Sequence, residues 1–420
     1  MKQTMLVTTE NTVTRTGQRI LLAWEHGRNL GHISRLLAIA RLVNAHGSEP
    51  VFALPPAFMQ APQFNGLPHA RFIAPMMRQG TPAQPSRIDS FADILLSFGF
   101  ADVAVLGQAV RAWVQLFEAV QPCSIVLDYA PAAQLAAQLL GVRAFQITNG
   151  FDAPPPDCPV FGIAVRGPYL EQLNARKLEQ ISTCMAQVGR DVTGSPGPTL
   201  ADYFNHPTKV YDCIPETDPY GPRDHGLCVG PLLALPDVAI VPWPHNPAKQ
   251  ARRPYLFAYL RDVPNAREWL DALGRTDAST LCVWPDAPDD LVQRYCSSAV
   301  RITRQSVNLP QALAQADAVL NYGAITTVCH TLLAGKPQLM VPADIEKILV
   351  ARKVVQHGAG LMWRQGSGTC ADALHQLLNA STLAPAAQAI ADKYPIAHRL
   401  HKQSLFAQAL TGNSQPRKDE

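Results

Sequence analysis

Two histidines and two glycines lie between the first apolar run of the chain and its first helical pattern. They are His26, Gly27, Gly31 and His32, in the stretch "WEHGRNLGHISRLL". Imidazole exchanges a proton near neutral pH, and it is also a common metal ligand. A metal site would need a third ligand at a characteristic spacing, and none follows these histidines. The stretch therefore favours proton transfer, with helix capping or cleft lining as the alternatives for His32.

A carboxylate that could assist one of these histidines follows a second apolar run. Asp128 ends "CSIVLD", and His32 lies where the loop after the first run meets a helix. Because parallel strands place their carboxyl ends at one edge of a sheet, a hydrogen bond between the two side chains is sterically feasible. We predict His32 as a general base and Asp128 as its partner, with His26 and Gly31 lining the cleft. The alternative for Asp128 is a structural carboxylate that caps a helix.

A third stretch has the chemistry of an anion site. In "NYGAITTVCHTLLAGKP", residues 321–337, a short strand is followed by a turn at Gly323 and by a helix that starts near Thr326 and Thr327. The first turn of a helix presents unpaired N–H groups and partial positive charge, and threonine hydroxyls add donors. A diphosphate would fit there. The alternative is that the threonines only cap the helix.

The elements that position these residues alternate between short apolar strands and amphipathic helices. This alternation begins near residue 19 and again near residue 254, and it predicts two α/β units with parallel, doubly wound sheets. The predicted parts are an N-terminal Rossmann-like domain over 17–225, a linker over 226–253, a C-terminal Rossmann-like domain over 254–395, a helix over 396–412 that packs back on the first domain, and a polar tail over 413–420.

Composition excludes several classes of protein. The 420 residues include 36 basic and 33 acidic ones, mixed along the chain, with a formal net charge of +3, which argues against a nucleic-acid partner. The nine cysteines are scattered without a C-x-x-C pair, as is typical of reduced thiols in a cytoplasmic protein. The polar N-terminus lacks the apolar core of a signal peptide, and no apolar run is long enough to cross a bilayer.

The region around the anion site resembles a known signature. Residues 317–361, "DAVLNYGAITTVCHTLLAGKPQLMVPADIEKILVARKVVQHGAGL", are similar to the nucleotide-sugar signature of family 1 GT-B glycosyltransferases, the UDP-glycosyltransferase-like group. The segments "NLGHISRLLAIARLVNAHGSEPVFA" and "IVLDYAPAAQLAAQLLGVRAFQITNGFDAPPP" resemble earlier parts of bacterial members. The resemblance implies the GT-B fold, in which two Rossmann-like doubly wound domains face each other across a cleft.

The resemblance also implies a reaction. A hydroxyl of the acceptor would attack C1 of a UDP- or dTDP-linked sugar with inversion, without a metal or other cofactor, and His32 and Asp128 match the base and its partner. The acceptor would be a small molecule or a lipid-like one, and a lipid would bring the protein to a membrane surface. The implied donor-binding positions are Gln311, Tyr322, Gly323, Thr326, Thr327, His330, Glu346 and Lys347.

Several of these positions depart from the family pattern. Tyr322 stands where most members have histidine, His330 where they have the glutamate that holds the ribose, and Asn308 where they have an aromatic residue. Glu346 keeps the acidic residue of the sugar site, whereas Lys347 replaces a glutamine. Lys347 could favour an acidic sugar or simply pair with Glu346.

These departures leave a second hypothesis open. A degenerate member could bind a nucleotide or a partner without transferring sugar. A dinucleotide-dependent oxidoreductase is disfavoured, because the loop "HGRNLGH" is not G-x-G-x-x-G and no acidic residue ends the next strand.

Overall fold

The computed structural model describes residues 17–26, 30–65, 67, 69–75, 88–161, 167–232, 241–244, 253–261 and 263–412. The polar N-terminus, the predicted tail over 413–420 and most of the predicted linker lie outside the described residues. The backbone divides into two compact units, of which the first comprises 1–212, 223–234 and 400–420 and the second comprises 213–222 and 235–399.

The first unit is built on a seven-stranded sheet in the order β3-β2-β1-β4-β5-β6-β7, with every neighbouring pair parallel. Its strands are β1 (Arg19–Trp24), β2 (Glu49–Leu54), β3 (Arg71–Ile73), β4 (Ser124–Asp128), β5 (Ala144–Thr148), β6 (Thr208–Tyr211) and β7 (Leu227–Cys228). Its helices are α1 (Leu30–Ala45), α2 (Phe91–Ser97), α3 (Val103–Val120), α4 (Pro131–Leu139), α5 (Pro168–Thr193) and α6 (Leu200–Asn205).

The second unit repeats the pattern with a six-stranded parallel sheet in the order β10-β9-β8-β11-β12-β13. Its strands are β8 (Tyr255–Tyr259), β9 (Ser279–Val283), β10 (Val300–Thr303), β11 (Ala318–Asn321), β12 (Gln338–Met340) and β13 (Gly360–Met362). The helices from here to the end of the chain are α7 (Ala266–Arg275), α8 (Asp289–Tyr295), α9 (Leu309–Gln315), α10 (Ile325–Leu333), α11 (Ile345–Gln356), α12 (Cys370–Asn379), α13 (Leu383–Ala391) and α14 (Ile396–Leu410).

The apolar runs form these strands because both faces of each sheet are covered by helices. The strand β1, "RILLAW", is buried from Ile20 onward, and all five residues of β4 are buried. The register between the two strands ends on the pair Trp24 and Asp128. Two parallel, doubly wound sheets are what the alternation of strands and helices predicted, and that prediction is confirmed.

The predicted domain boundaries differ from the structure in two places. The strand β7 pairs with β6, and Val229 extends the core of the first unit, so the predicted linker begins inside that unit. Residues 213–222, placed in the N-terminal domain by the sequence, belong to the second unit. There Glu216 accepts hydrogen bonds from Lys393 at 3.0 Å and from the Tyr394 hydroxyl at 2.8 Å. A two-residue strand and a single helical turn carry too little periodicity for the sequence to reveal them.

The C-terminal helix contributes to the core of the first unit. Phe406 and Leu410, both on α14, are fully buried in the cluster that lines the sheet. The Phe406 ring lies 6.1 Å from the ring of Phe145 on β5, and the Ser124 hydroxyl donates to the Leu410 carbonyl at 2.9 Å. These contacts place Phe406 and Leu410 in the core of the first unit.

The helix α3 is, among the described residues, the one helix long and apolar enough by length and composition to span a membrane. A helix in the core of a globular protein meets the same criteria of length and composition. Here α3 packs against α4 and α5, and Trp113 and Leu116 on its apolar face are fully buried.

Candidate active site

In the first unit, the residues predicted to do chemistry lie where the strand order reverses. The strands β1 and β4 are neighbours, although the chain passes through β2 and β3 between them. Loops that follow such a pair diverge and leave a crevice at the carboxyl edge of the sheet, which is the usual place for a ligand. His32 lies in the first turn of α1, which follows β1, and Asp128 is the last residue of β4.

His32 is held by contacts on its ring face and on one nitrogen. Its Nδ1 lies 2.9 Å from Asp128 Oδ1, and its ring stacks on Trp24 with centroids 4.9 Å apart and planes 21° apart. Because an ionised carboxylate only accepts hydrogen bonds, Nδ1 carries the proton and Nε2 keeps its lone pair. The side chain is 19% exposed, so one face of this site can be reached by a ligand.

Asp128 remains ionised in this setting although it is buried. Burial acts to raise its pKa, but the charge of Arg35 and the hydrogen bond with His32 outweigh burial and hold the pKa below its usual value. The next residue, Tyr129, has a φ of 51°, a left-handed conformation that is rare for a residue with a side chain. Such backbone strain concentrates at functional sites.

Two charged residues that the sequence analysis missed complete this cluster. Arg35 Nη1 donates to Asp128 Oδ1 at 2.8 Å, and Arg35 Nε donates to Asp212 Oδ2 at 2.6 Å. Spacing could have revealed Arg35, since it follows His32 by three residues and so shares its helical face. Asp212 comes directly after β6 at the same sheet edge, which is the signal that could have revealed it.

His26 and Gly31 play different parts. His26 is 6% exposed, and its ring stacks on Phe98 with centroids 3.6 Å apart, so it supports the packing of the loop and presents little surface to a ligand. The neighbouring Glu25 is fully buried and accepts from the backbone N–H groups of Ala132 and Ala133 at the start of α4. Gly31 has open space where a side chain would begin.

In the second unit, the predicted anion loop also follows a strand at a reversal of order, because β11 lies beside β8. Gly323 has a φ of 87°, and its N–H donates to Asn321 Oδ1 at 2.8 Å. A methyl group on Gly323 would lie 3.1 Å from Lys347 Cβ, so both the conformation and the space require glycine.

The start of α10 keeps its donors available. Its N-cap is Ala324, which has no side chain able to cap the helix, and neither Thr326 nor Thr327 takes that role. Thr326 is half-buried, whereas Thr327 is 3% exposed and its carbonyl accepts from the Thr331 hydroxyl. The alternative that the threonines only cap the helix therefore fails on geometry.

The departures from the family pattern have local partners within the chain. The Tyr322 ring meets the Tyr259 ring edge-on at 5.2 Å, and burial raises the pKa of Tyr322 well above its usual value, so the phenol stays neutral. Lys347 Nζ lies 5.8 Å from the Tyr322 ring centre and forms an ion pair with Asp344, the N-cap of α11. The ion pair of Lys347 is thus with Asp344, and Glu346 is half-buried in the first turn of α11.

His330 and Gln311 occupy the remaining donor positions. His330 lies on α10, where burial, with a smaller effect of Arg399, lowers its pKa to about 4. It is therefore neutral at pH 7, and its Nε2 is buried without a hydrogen-bond partner among the described residues. Asn308 caps α9 by accepting from the backbone N–H of Gln311 at 3.1 Å, which explains an asparagine there in place of an aromatic residue.

Among the described residues, no group of three or more His, Cys, Asp or Glu side chains is arranged so that it could hold a metal ion. None of the nine cysteines, all of which lie within the described residues, forms a disulfide bond.

Comparison with known proteins identifies the fold. No protein-family model matches the chain, and no curated protein sequence does. Among solved structures, a calicheamicin glycosyltransferase superposes with a TM-score of 0.67 over 96% of this chain and 100% of its own, at 16% identity. The glycosyltransferase SnogD from Streptomyces nogalater gives 0.62, 95% and 100% at 18% identity, and the glycosyltransferase VinC, in complex with dTDP, gives 0.62, 94% and 100% at 16% identity.

The chain has the GT-B fold. At these identities the likeness concerns the fold, and the predicted GT-B class is confirmed. Within this fold, His32 and Asp128 meet as predicted, and Gly323, Thr326, Thr327 and His330 lie on one loop and helix as predicted. The roles of all these residues stay predictions, to which the structure adds Arg35 and Asp212.

Proposed function

We propose that this GT-B protein is a glycosyltransferase that moves a sugar from a nucleotide-diphospho-sugar to a hydroxyl group of an acceptor, with inversion at C1. The observation that carries the proposal is the hydrogen bond between His32 Nδ1 and Asp128 Oδ1, at the strand-order reversal of the first unit. The fold, shared with solved glycosyltransferases over nearly the whole chain, supports the same reaction.

The chemistry follows from the tautomer of His32. Nε2 accepts the proton of the acceptor hydroxyl while that oxygen forms a bond to C1 of the sugar and the bond from C1 to the diphosphate oxygen breaks. Asp128 stays ionised and stabilises the imidazolium that forms, and the Trp24 stack holds the ring in orientation. The diphosphate leaves with the electron pair of the broken bond.

The donor is proposed to bind with its diphosphate at the start of α10. Uncapped N–H groups there, next to the Thr326 hydroxyl, suit an anion. The neutral His330 ring, with its unpartnered Nε2, suits a ribose hydroxyl. VinC was solved with dTDP, and we propose a UDP- or dTDP-linked donor here, without a metal or other cofactor. Because Lys347 already pairs with Asp344, we do not assign it a preference for an acidic sugar.

The acceptor is proposed to be a small molecule in the cytoplasm. The solved relatives include a glycosyltransferase of calicheamicin, which supports that kind of acceptor. The alternative is a lipid-like acceptor, which would take part in the same reaction and would bring the protein into contact with a membrane surface.

Calorimetric titration with UDP- and dTDP-sugars tests the donor half of the proposal. We expect at least one donor to bind with a Kd below about 1 mM, the usual range for substrates. Adding a pool of acceptors should then release the nucleotide. No binding by any donor at millimolar concentration would contradict the proposal.

A binding protein without transferase activity is the second candidate. It is favoured by the packing of Tyr322 against Tyr259 and by the pairing of Lys347, since both side chains are engaged within the chain. The two candidates separate in the same experiment, because donor binding without nucleotide release in any acceptor pool supports the binding protein. Release of nucleotide with an acceptor supports the enzyme.

A further inference from the structure

The guanidinium of Arg35 joins two buried carboxylates. One nitrogen bonds to Asp128 at 2.8 Å and another to Asp212 at 2.6 Å, and both carboxylate side chains are 1% exposed. Asp128 Oδ1 thereby accepts from both His32 and Arg35. The four side chains form one connected group that ends at the His32 ring.

Both carboxylates keep an oxygen that this connection does not use. Asp128 Oδ2 and Asp212 Oδ1 are buried and have no hydrogen-bond partner among the described residues. Buried acceptors in a purely structural network are nearly always satisfied. No described residue donates to these two oxygens, so hydrogen bonds within the described residues do not account for both buried carboxylates.

The charges of these four side chains suggest a role for the second carboxylate. With His32 neutral, two carboxylates and one guanidinium leave the group at −1, and a proton on His32 brings it to zero. Without Asp212, Arg35 would cancel the charge of Asp128, and a proton on His32 would leave the group at +1. We propose that Asp212 and Arg35 are positioning residues for the base: Arg35 fixes Asp128, and Asp212 supplies the negative charge that lets Asp128 stabilise the protonated His32.

Other charged groups lie near this cluster, among them Asp152 and Lys209. Asp152, in the loop after β5, accepts from the Thr148 hydroxyl and from Gln146, and burial raises its pKa. Burial also raises the pKa of Asp212, against the opposing charge of Arg35. Lys209 on β6 donates to Gln146, and burial lowers the pKa of Lys209 to about 7 against the opposing charge of Asp152. The guanidinium of Arg35, in direct contact with Asp212, is the largest influence that opposes the rise in the pKa of that carboxylate.

The inference rests on the proposed function, and its test reads the proton on His32 directly. NMR titration measures the pKa of His32 in the unsubstituted protein and in Asp212→Asn. This substitution removes the negative charge with little change of side-chain shape. We expect a fall of at least about half a pH unit, because the imidazolium loses a nearby negative charge. Asp212→Glu, which keeps the charge, should restore the original pKa. Glu118→Gln removes an exposed carboxylate on α3 and should leave it unchanged.

The outcomes separate the two claims. A His32 pKa in Asp212→Asn equal to that in Glu118→Gln overturns the inference, whether or not the protein transfers sugar. If Asp212→Asn does not fold, the smaller neutral variant Asp212→Ser carries the same expectation. Where transfer is measurable, the acid limb of the kcat/KM profile should move to lower pH in the neutral variant, and an unmoved limb also contradicts the inference. Failure to bind any nucleotide sugar overturns the proposed function alone.

Discussion

At the scale of single residues, the proposed proton transfer depends on which nitrogen of His32 faces the ligand. The bond from Nδ1 to Asp128 and the stack on Trp24 leave Nε2 as the nitrogen that can take a proton. The sequence predicted the meeting of His32 and Asp128, because the loop that follows β1 and the end of β4 lie at one edge of the sheet. Spacing could have placed Arg35 beside His32 and Asp212 at the sheet edge, but the contact between Arg35 and Asp212 depends on how α1 packs beside the end of β6.

His330 gives a prediction about stability. Its pKa in the folded chain is about 4, below the ordinary value of 6.5. Between these values the unfolded chain binds a proton at His330 that the folded chain does not. The contribution of neutral His330 to stability is therefore fully present above about pH 6.5 and is lost as the pH falls toward 4. When the pH is lowered from 7 to 5, the free energy of unfolding of the native protein should fall by about 2 kcal/mol more than that of His330→Gln. Urea titrations at both pH values measure this.

The exposed His375 on α12 provides the control for that measurement. His375→Gln should keep the pH dependence of the native protein. Equal losses in His330→Gln and in the native protein would show that His330 is not held neutral by burial.

At the scale of elements, the site depends on loops that follow β1, β4 and β11, the strands at the reversals of order. Strong strand and helix periodicity predicted these elements and hence the loops. The strand β7 and residues 213–222 escaped prediction because their places are set by pairing and packing with distant parts of the chain.

The two glycines predicted in the site should respond differently to alanine. In Gly323→Ala, the new methyl group meets Lys347 and the φ of 87° becomes unfavourable, so we expect a loss of about 1–2 kcal/mol in unfolding free energy. Gly31→Ala places its methyl group in open space within α1 and should not destabilise the protein. Thermal unfolding of the two variants side by side measures the contrast, which is absent if the loop of Gly323 adapts freely.

At the scale of the whole molecule, two Rossmann-like units recur in one chain, each with candidate residues at its own strand-order reversal. Sequence patterning sufficed to predict this class, although identity with solved glycosyltransferases is only 16–18%. Buried strands and covering helices tolerate exchange of one apolar residue for another, so the pattern persists where identity does not. The identity of the donor and the acceptor depends on the few side chains that touch them, and no sequence pattern predicted that identity.

The claim that His32 is the base of a glycosyl transfer is tested most directly by turnover of His32→Ala. The matched control is His225→Ala, which removes an exposed histidine of the same unit. With donor affinity unchanged, we expect kcat for nucleotide release in the presence of acceptor to fall by about 10²- to 10⁴-fold in His32→Ala and to stay at the native value in the control. Turnover by His32→Ala at the native rate would contradict the account.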